Sequence, residues 1–256
     1  MTTHDTGAAG PATSSTGAAG PATSSTGAAG PATSKPESTS FLYPFIESEE
    51  TDAKSLLDDL AASARSKAAE SAGLQRASLD EYDDALAAAG TGMAERFLRG
   101  GRLYTFGNGG SSTDAATLAS LFSRPARGRP VAAWSLAADE AVVTALGNDV
   151  GFELIFKRQI IAHARDRDVA IALSTSGNSE DLMTAITEAK QRGLLTIGFS
   201  GHDGGRMAVA EDLDFCFTVH SQSIHRIQES HAMLGYRLWS VTQQHMARPR
   251  NGVHTL

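Results

Sequence analysis

The chain holds a single cysteine, Cys216, among its 256 residues. One thiol cannot form an internal disulfide, and such sparing use of cysteine suits a reducing compartment. Cys216 sits in the apolar run FCFTV, so it reads as a structural thiol rather than a nucleophile. Also missing is any run of about twenty apolar residues, so no membrane span is expected. The opening MTTHDTG has none of the charged-then-apolar order of a signal peptide. Positive charge is scarce too. Lys and Arg number 22 against 29 Asp and Glu, a net −7 that argues against direct nucleic-acid binding. The expectation is a cytoplasmic protein.

What is present first is a repeat. TGAAGPATSS begins at Thr6, Thr16 and Thr26, the last copy ending in Lys35. Gly, Ala, Pro, Ser and Thr at this period offer no apolar face, so burial cannot offset the entropy cost of ordering. Residues 1–40 are therefore expected to be a disordered low-complexity tail, and residues 41–250 the folded domain. About 215 residues remain beyond the tail, enough for one good core.

After the tail the pattern turns helical. Leu56, Leu57, Leu60, Ala61 and Ala64 predict a helix from Asp52 to about Ala72. Leu79, Tyr82, Leu86, Met93 and Phe97 predict a second, with Gly90 and Gly92 weakening its middle and Gly100-Gly101 ending it. Five short apolar runs follow, at Leu103–Phe106, Val131–Ser135, Val169–Leu173, Leu195–Phe199 and Phe215–Val219, with helical stretches between them. Strands separated by helices imply parallel pairing, and near-continuous apolar runs imply cover on both faces. A last helix carries Ile224, Ile227, His231, Leu234, Leu238 and Val241 as a seam suited to another helix. The fold class expected is α/β: a doubly wound, five-stranded parallel sheet with an N-terminal helical pair.

In such sheets ligands bind beyond the carboxyl ends of the strands. Two loops there are rich in small residues: Gly107-Asn108-Gly109-Gly110-Ser111-Ser112 after LYTF, and Ser174-Thr175-Ser176-Gly177-Asn178-Ser179 after AIAL. Each leads into a helix N-terminus and offers N–H groups and hydroxyls to a phosphate. Neither is a Walker A sequence, and GNGGS lacks the full dinucleotide fingerprint. Glu180 and Asp181 put two negative charges in the first helical turn after the second loop; facing solvent, they would complement the helix dipole.

GNGGSSTDA, LGNDVGFE, LSTSGNS, GFSGHDGGRMA and HRIQESH, in this order from about Leu103 to Thr242, resemble the phosphoheptose isomerase branch of the sugar isomerase (SIS) family. The resemblance implies the SIS fold, a homotetramer with clefts between subunits, and sedoheptulose 7-phosphate as the ligand, which that branch isomerises to a mannoheptose 7-phosphate. Carried over residue by residue, it assigns phosphate and sugar contacts to Asn108, Gly109, Gly110, Ser111, Ser174, Thr175, Ser176 and Ser179. Asp149 and Gln228 match positions that reach the sugar or the metal, and Arg124 aligns loosely with a family arginine.

The family's catalytic and zinc-binding set departs here. Its His and Glu, ten and fourteen residues beyond the first Gly of GNGGS, are replaced by Thr117 and Leu121. The Gln and His that the family places eight apart on the last helix are Gln228 and Tyr236. Thr, Leu and Gln make no credible zinc site, so no metal is expected. His225, Gln228 and Glu229 share a face of the last helix and are the remaining candidates for a relocated acid/base set, with His220 just before them. His231 reads as a core histidine. A sister group, bacterial replication-initiation regulators, keeps the fold and tetramer without the activity; isomerase-like proteins of secondary-metabolite sugar pathways are a third relative. The reading is thus a phosphosugar-binding protein with isomerase activity weakened or lost. The alternatives are a working ketose–aldose isomerase with rearranged residues and a non-catalytic tetrameric interaction protein.

Overall fold

The computed structural model describes Ala53–Ala247; the repeat segment expected as a tail lies outside the described residues. The five apolar runs form β1 (Leu103–Gly107), β2 (Ala133–Ser135), β3 (Val169–Leu173), β4 (Leu195–Gly201) and β5 (Phe215–Val219). They make one sheet in the order β2-β1-β3-β4-β5, every pairing parallel. β2 is shorter than expected because Val131 N–H donates to the Phe122 carbonyl at 2.9 Å rather than entering the ladder. β1 lies between β2 and β3, so the connections leaving β1 and β3 diverge and a crevice opens between their carboxyl ends.

Helices cover both faces. Alternation along the strands sends Leu103, Ile171, Leu173, Ile197, Phe199 and Phe217 to one side. There they meet α2 (Asp83–Leu98), α3 (Gly110–Ser123) and α8 (Ile224–Ala247) through Leu86, Met93, Leu118, Phe122, Leu234 and Leu238. Tyr104, Phe106, Ala170 and Ala172 face the other side, against α5 (Ile155–His163), α6 (Glu180–Gln191) and α7 (Gly205–Ala208). Each large apolar side chain buried in this way contributes about 1.5–3 kcal/mol. α4 (Glu140–Asp149) buries none of its residues, and a 3₁₀ turn at Phe152–Leu154 joins it to α5.

The N-terminal helical pair differs from expectation in its joint. α1 runs from Ala53 to Glu81, nine residues past Ala72, and α2 starts at Asp83. Tyr82, at the break, is tied to β5: its hydroxyl donates to Thr218 O and accepts from Thr218 N, both at 3.2 Å. Its ring also meets Phe217 edge-on. Gly90 does not weaken α2 but lets α8 approach, since a Cβ there would meet Val241 Cγ1 at 2.7 Å. Cys216 is half-buried beside the Ser200 hydroxyl, and burial pushes its thiol above the ordinary range. Among the described residues no helix is long and apolar enough to cross a membrane.

Candidate functional site

The pairing of Gly107 with Leu173 at the ends of β1 and β3 brings the two small-residue loops side by side. In the first loop Gly109 has φ 53° and ψ −126°, a conformation open to glycine, and α3 begins at Gly110. The chain can therefore turn directly from strand into helix, leaving the first N–H groups of α3 facing the crevice mouth. Ser112 closes the turn, its hydroxyl donating to Gly109 O at 2.6 Å. Ser111 is buried, Asn108 is half-buried, and Gly109 and Gly110 are exposed.

The second loop is held mainly by its own hydroxyls. Ser174 Oγ accepts from Gly177 N at 3.0 Å, and Ser176 Oγ accepts from Asn178 N at 3.3 Å. The two hydroxyl oxygens lie 3.5 Å apart, close enough to share one anionic oxygen. Gly177, at φ 66°, packs so tightly on the segment after β4 that a Cβ would sit 2.0 Å from Gly204 O. Asn178 staples the same segment by accepting from Arg206 N at 3.0 Å. Ser179 is the N-cap of α6 but makes no side-chain capping bond, so its hydroxyl is not spent on the helix.

A direct bond joins the first loop to the helix that follows the second: Asn108 Nδ2 donates to Asp181 Oδ1, in the first turn of α6, at 3.0 Å. This corrects the expectation for the acidic pair after the second loop. Glu180 does face solvent and pairs with Arg206, but Asp181 turns inward and is only 3 % exposed. Burial pushes its carboxyl above the usual aspartate value, and the Asn108 amide and the first N–H groups of α6 draw it back down. Asp181 Oδ2 is buried without a partner.

Gln228 reaches this site from α8. Its Nε2 donates to Asp114 Oδ2 at 3.1 Å, and its amide lies where a Cβ on Gly110 would be, 2.3 Å from Nε2. Burial raises the Asp114 carboxyl, and the Gln228 bond partly offsets this. His225 and Glu229 are exposed, and His220 leans on His202 O at 3.0 Å. Asp149 ends α4, exposed, accepting from Asn148 Nδ2 at 2.8 Å. Arg124 follows α3 and bonds back to Ser120 Oγ at 3.3 Å.

Thr117, Leu121 and Tyr236 converge. Together with Asp114, Leu173 and His231 they line a small cavity of about 70 Å³ between α3 and α8. Thr117 spends its hydroxyl proton on Thr113 O at 2.9 Å, and Tyr236 accepts from Arg127 Nη2 at 3.4 Å. His231 Nε2 meets Ser200 O at 2.9 Å while Nδ1 is buried without a partner, so this core histidine is satisfied on one side only. Among the described residues no three His, Cys, Asp or Glu side chains are grouped as a metal would need. A larger recess of about 710 Å³ at the β2 edge, lined by Arg102, Tyr104 and Trp134, contains none of the loop residues.

Residues 68–201 match the model of the SIS domain. The chain belongs to that family, in its phosphoheptose isomerase branch. It is 40% identical over 156 residues to phosphoheptose isomerase of Aquifex aeolicus, covering 59% of this chain and 80% of that protein. With the phosphoheptose isomerase of Nitratiruptor it shares 46% identity over 148 residues, 56% of this chain and 76% of that one. The phosphoheptose isomerase structure from Neisseria gonorrhoeae superposes with a TM-score of 0.67 at 29% identity, covering 72% of this chain and 99% of that chain. That from Francisella tularensis gives 0.66 at 29% identity, covering 73% and 98%. Asp114 and Asp181 are the site residues that sequence reasoning missed. A signal existed for both: each lies four residues before a buried apolar residue, Leu118 and Ala185, and so falls on the inward stripe of its helix.

Proposed function

We propose that this SIS-domain protein binds a sugar phosphate of the sedoheptulose 7-phosphate class in the crevice between β1 and β3, with phosphoheptose isomerisation weak or lost. The observation that carries the reading is the juxtaposition of the two loops at the paired ends of β1 and β3, with Asn108 of the first bonded to Asp181 in the helix that follows the second. The phosphate sits over Ser174, Thr175, Ser176 and Ser179, held by hydroxyls and by the N–H groups opening α6. The sugar extends toward Asn108, Gly109, Gly110, Ser111 and Gln228, and Asp149 is assigned to it by the family match.

Moving a proton between adjacent carbons needs an acid/base pair in reach of both. In the cavity where the isomerases place that pair, this chain has a threonine, a leucine and a phenol. His231 does not replace them, since burial holds its imidazole at about 4 and Ser200 O occupies Nε2. The donors present do not suit zinc either. A carboxyl already bonded to Gln228 and one free imidazole nitrogen fall short of the three or four nitrogen, sulfur or carboxylate donors it requires.

One observation favours the alternative of a working ketose–aldose isomerase: Asp114, a half-buried carboxyl with a raised pKa, lines that same cavity. Assembly as a homotetramer is part of the proposal, supported by Leu56, Leu57 and Leu60, which α1 leaves exposed. The test is calorimetry with sedoheptulose 7-phosphate, followed by an NMR turnover assay with and without zinc. Micromolar-range binding is expected, with turnover absent or far below ordinary enzymatic rates. Absence of binding removes the reading, and turnover at roughly 1 per second or faster replaces it with the isomerase.

A further inference from the structure

Asn108 has a carboxamide with a donor end and an acceptor end, and which end faces the crevice decides what it can read. Its nitrogen is committed, donating to Asp181 Oδ1 at 3.0 Å. Its carbonyl oxygen has no hydrogen-bond partner among the described residues and is not among the atoms buried without one. Asp181 is 3 % exposed, set in the first turn of α6, with Oδ2 buried and unpartnered. A buried carboxylate with an orphan oxygen beside an anion site is costly, and an apolar side chain would fill the same space without that cost. An acceptor-only group at this spot nevertheless does one thing an apolar residue does not: it fixes the amide with nitrogen inward and oxygen outward.

We infer that Asp181 is a positioning residue that makes Asn108 a reader of sugar hydroxyls rather than a second phosphate clamp. The outward oxygen accepts from a hydroxyl and repels phosphate oxygens, which are themselves acceptors. The ligand class favoured is therefore a polyol phosphate over a bare phosphate or a phosphate carried on an apolar group. The inference rests on the binding proposed above and deepens it.

The experiment compares affinities for sedoheptulose 7-phosphate and for inorganic phosphate, by calorimetry on the full chain. Asp181→Leu frees the amide to turn and removes a negative charge near the anion. Sugar-phosphate affinity should fall about fivefold or more while inorganic phosphate binds as well as before or better. Asp181→Asn, whose oxygen still takes the Asn108 nitrogen, should keep most of the preference. Asn108→Ala should show the same selective loss, and Asp181→Leu added to it should change the preference no further. Equal loss of both ligands in Asp181→Leu, or an unchanged ratio, overturns the inference while leaving the binding reading intact. Should Asp181→Leu not fold, Asn108→Ala decides alone: a loss shared equally by both ligands overturns it. Wild-type protein that binds neither ligand removes both the binding reading and this one.

Discussion

Replacing His231 by glutamine should flatten the acid side of the protein's stability profile. His231 is 1 % exposed on α8, its Nε2 bonded to Ser200 O and its ring edge-on to Phe199 at 5.7 Å. Nε2 carries the proton that meets the carbonyl, so charging the ring means adding a proton at Nδ1, where no acceptor waits. Burial accordingly lowers its pKa from 6.5 to about 4, with the Ser200 carbonyl opposing. In the unfolded chain the imidazole takes up its proton at the ordinary value; in the folded chain it does so only near the lower one. The unfolded state thus binds more protons throughout that window, and stability falls as the pH falls. The contribution is complete above about pH 6.5 and lost progressively toward pH 4, in all about 3 kcal/mol at roughly 1.4 kcal/mol per pH unit. By pH 5 about 2 kcal/mol of it should be gone. Asp114 and Asp181, with raised folded pKa values, bind protons more readily folded and so push the other way as the pH drops. The measurement is therefore a difference: urea unfolding of wild type and His231→Gln at pH 7.5 and pH 5. Wild type should lose about 2 kcal/mol more than the variant between the two. Parallel losses would refute a neutral, half-satisfied His231.

Ser174→Ala combined with Ser176→Ala should weaken sedoheptulose 7-phosphate binding tenfold or more. Two hydrogen bonds to a charged group are lost, at about 1.5 kcal/mol or more each; unchanged affinity by calorimetry would move the phosphate elsewhere. Thr117→His, Leu121→Glu and Tyr236→His together should create stoichiometric zinc binding, read by competition with a chelating dye, because the three positions line one cavity. No zinc uptake by a folded triple variant would mean that they do not converge as described.

Much of the architecture was legible because strand runs and loop chemistry are local properties. LYTF, VAIAL and TIGF announce buried strands, and a parallel sheet follows from the helices between them. The adjacency of β1 and β3 is a matter of crossover direction, which no residue in either strand encodes, yet it is what brings the loops together. The acidic pair shows the limit at the scale of one turn. Glu180 and Asp181 are chemically alike and consecutive, but α6 turns one toward Arg206 and solvent and the other onto the stripe of Leu182, Ala185 and Ala189. Charge suggested two outward side chains; helical phase assigned one inward, and phase was the better guide. The break at Tyr82 was hidden for a different reason. The residue at the break bonds through its hydroxyl to Thr218, 136 residues away, a contact that no local pattern encodes.

The fold also explains why phosphate binding and proton transfer can part company. The two loops are bound into the structure itself: Gly177 cannot carry a Cβ against Gly204 O, and the Ser174 and Ser176 hydroxyls hold their own backbone turn. Substitution there disturbs the ends of the central strands. Thr117 and Tyr236, by contrast, are exposed and support little of the core, so their identities are free to change at slight cost to stability. Leu121 is half-buried and packs on the core, where a glutamate would gain nothing unless a partner met it. Loss of the proton-transfer set therefore proceeds with the grain of the packing, whereas loss of the loops would run against it. A chain with both loops intact and the cavity lined by threonine, leucine and tyrosine is the state this asymmetry favours, and it is the state that the proposed sugar-phosphate binding with weakened isomerisation requires.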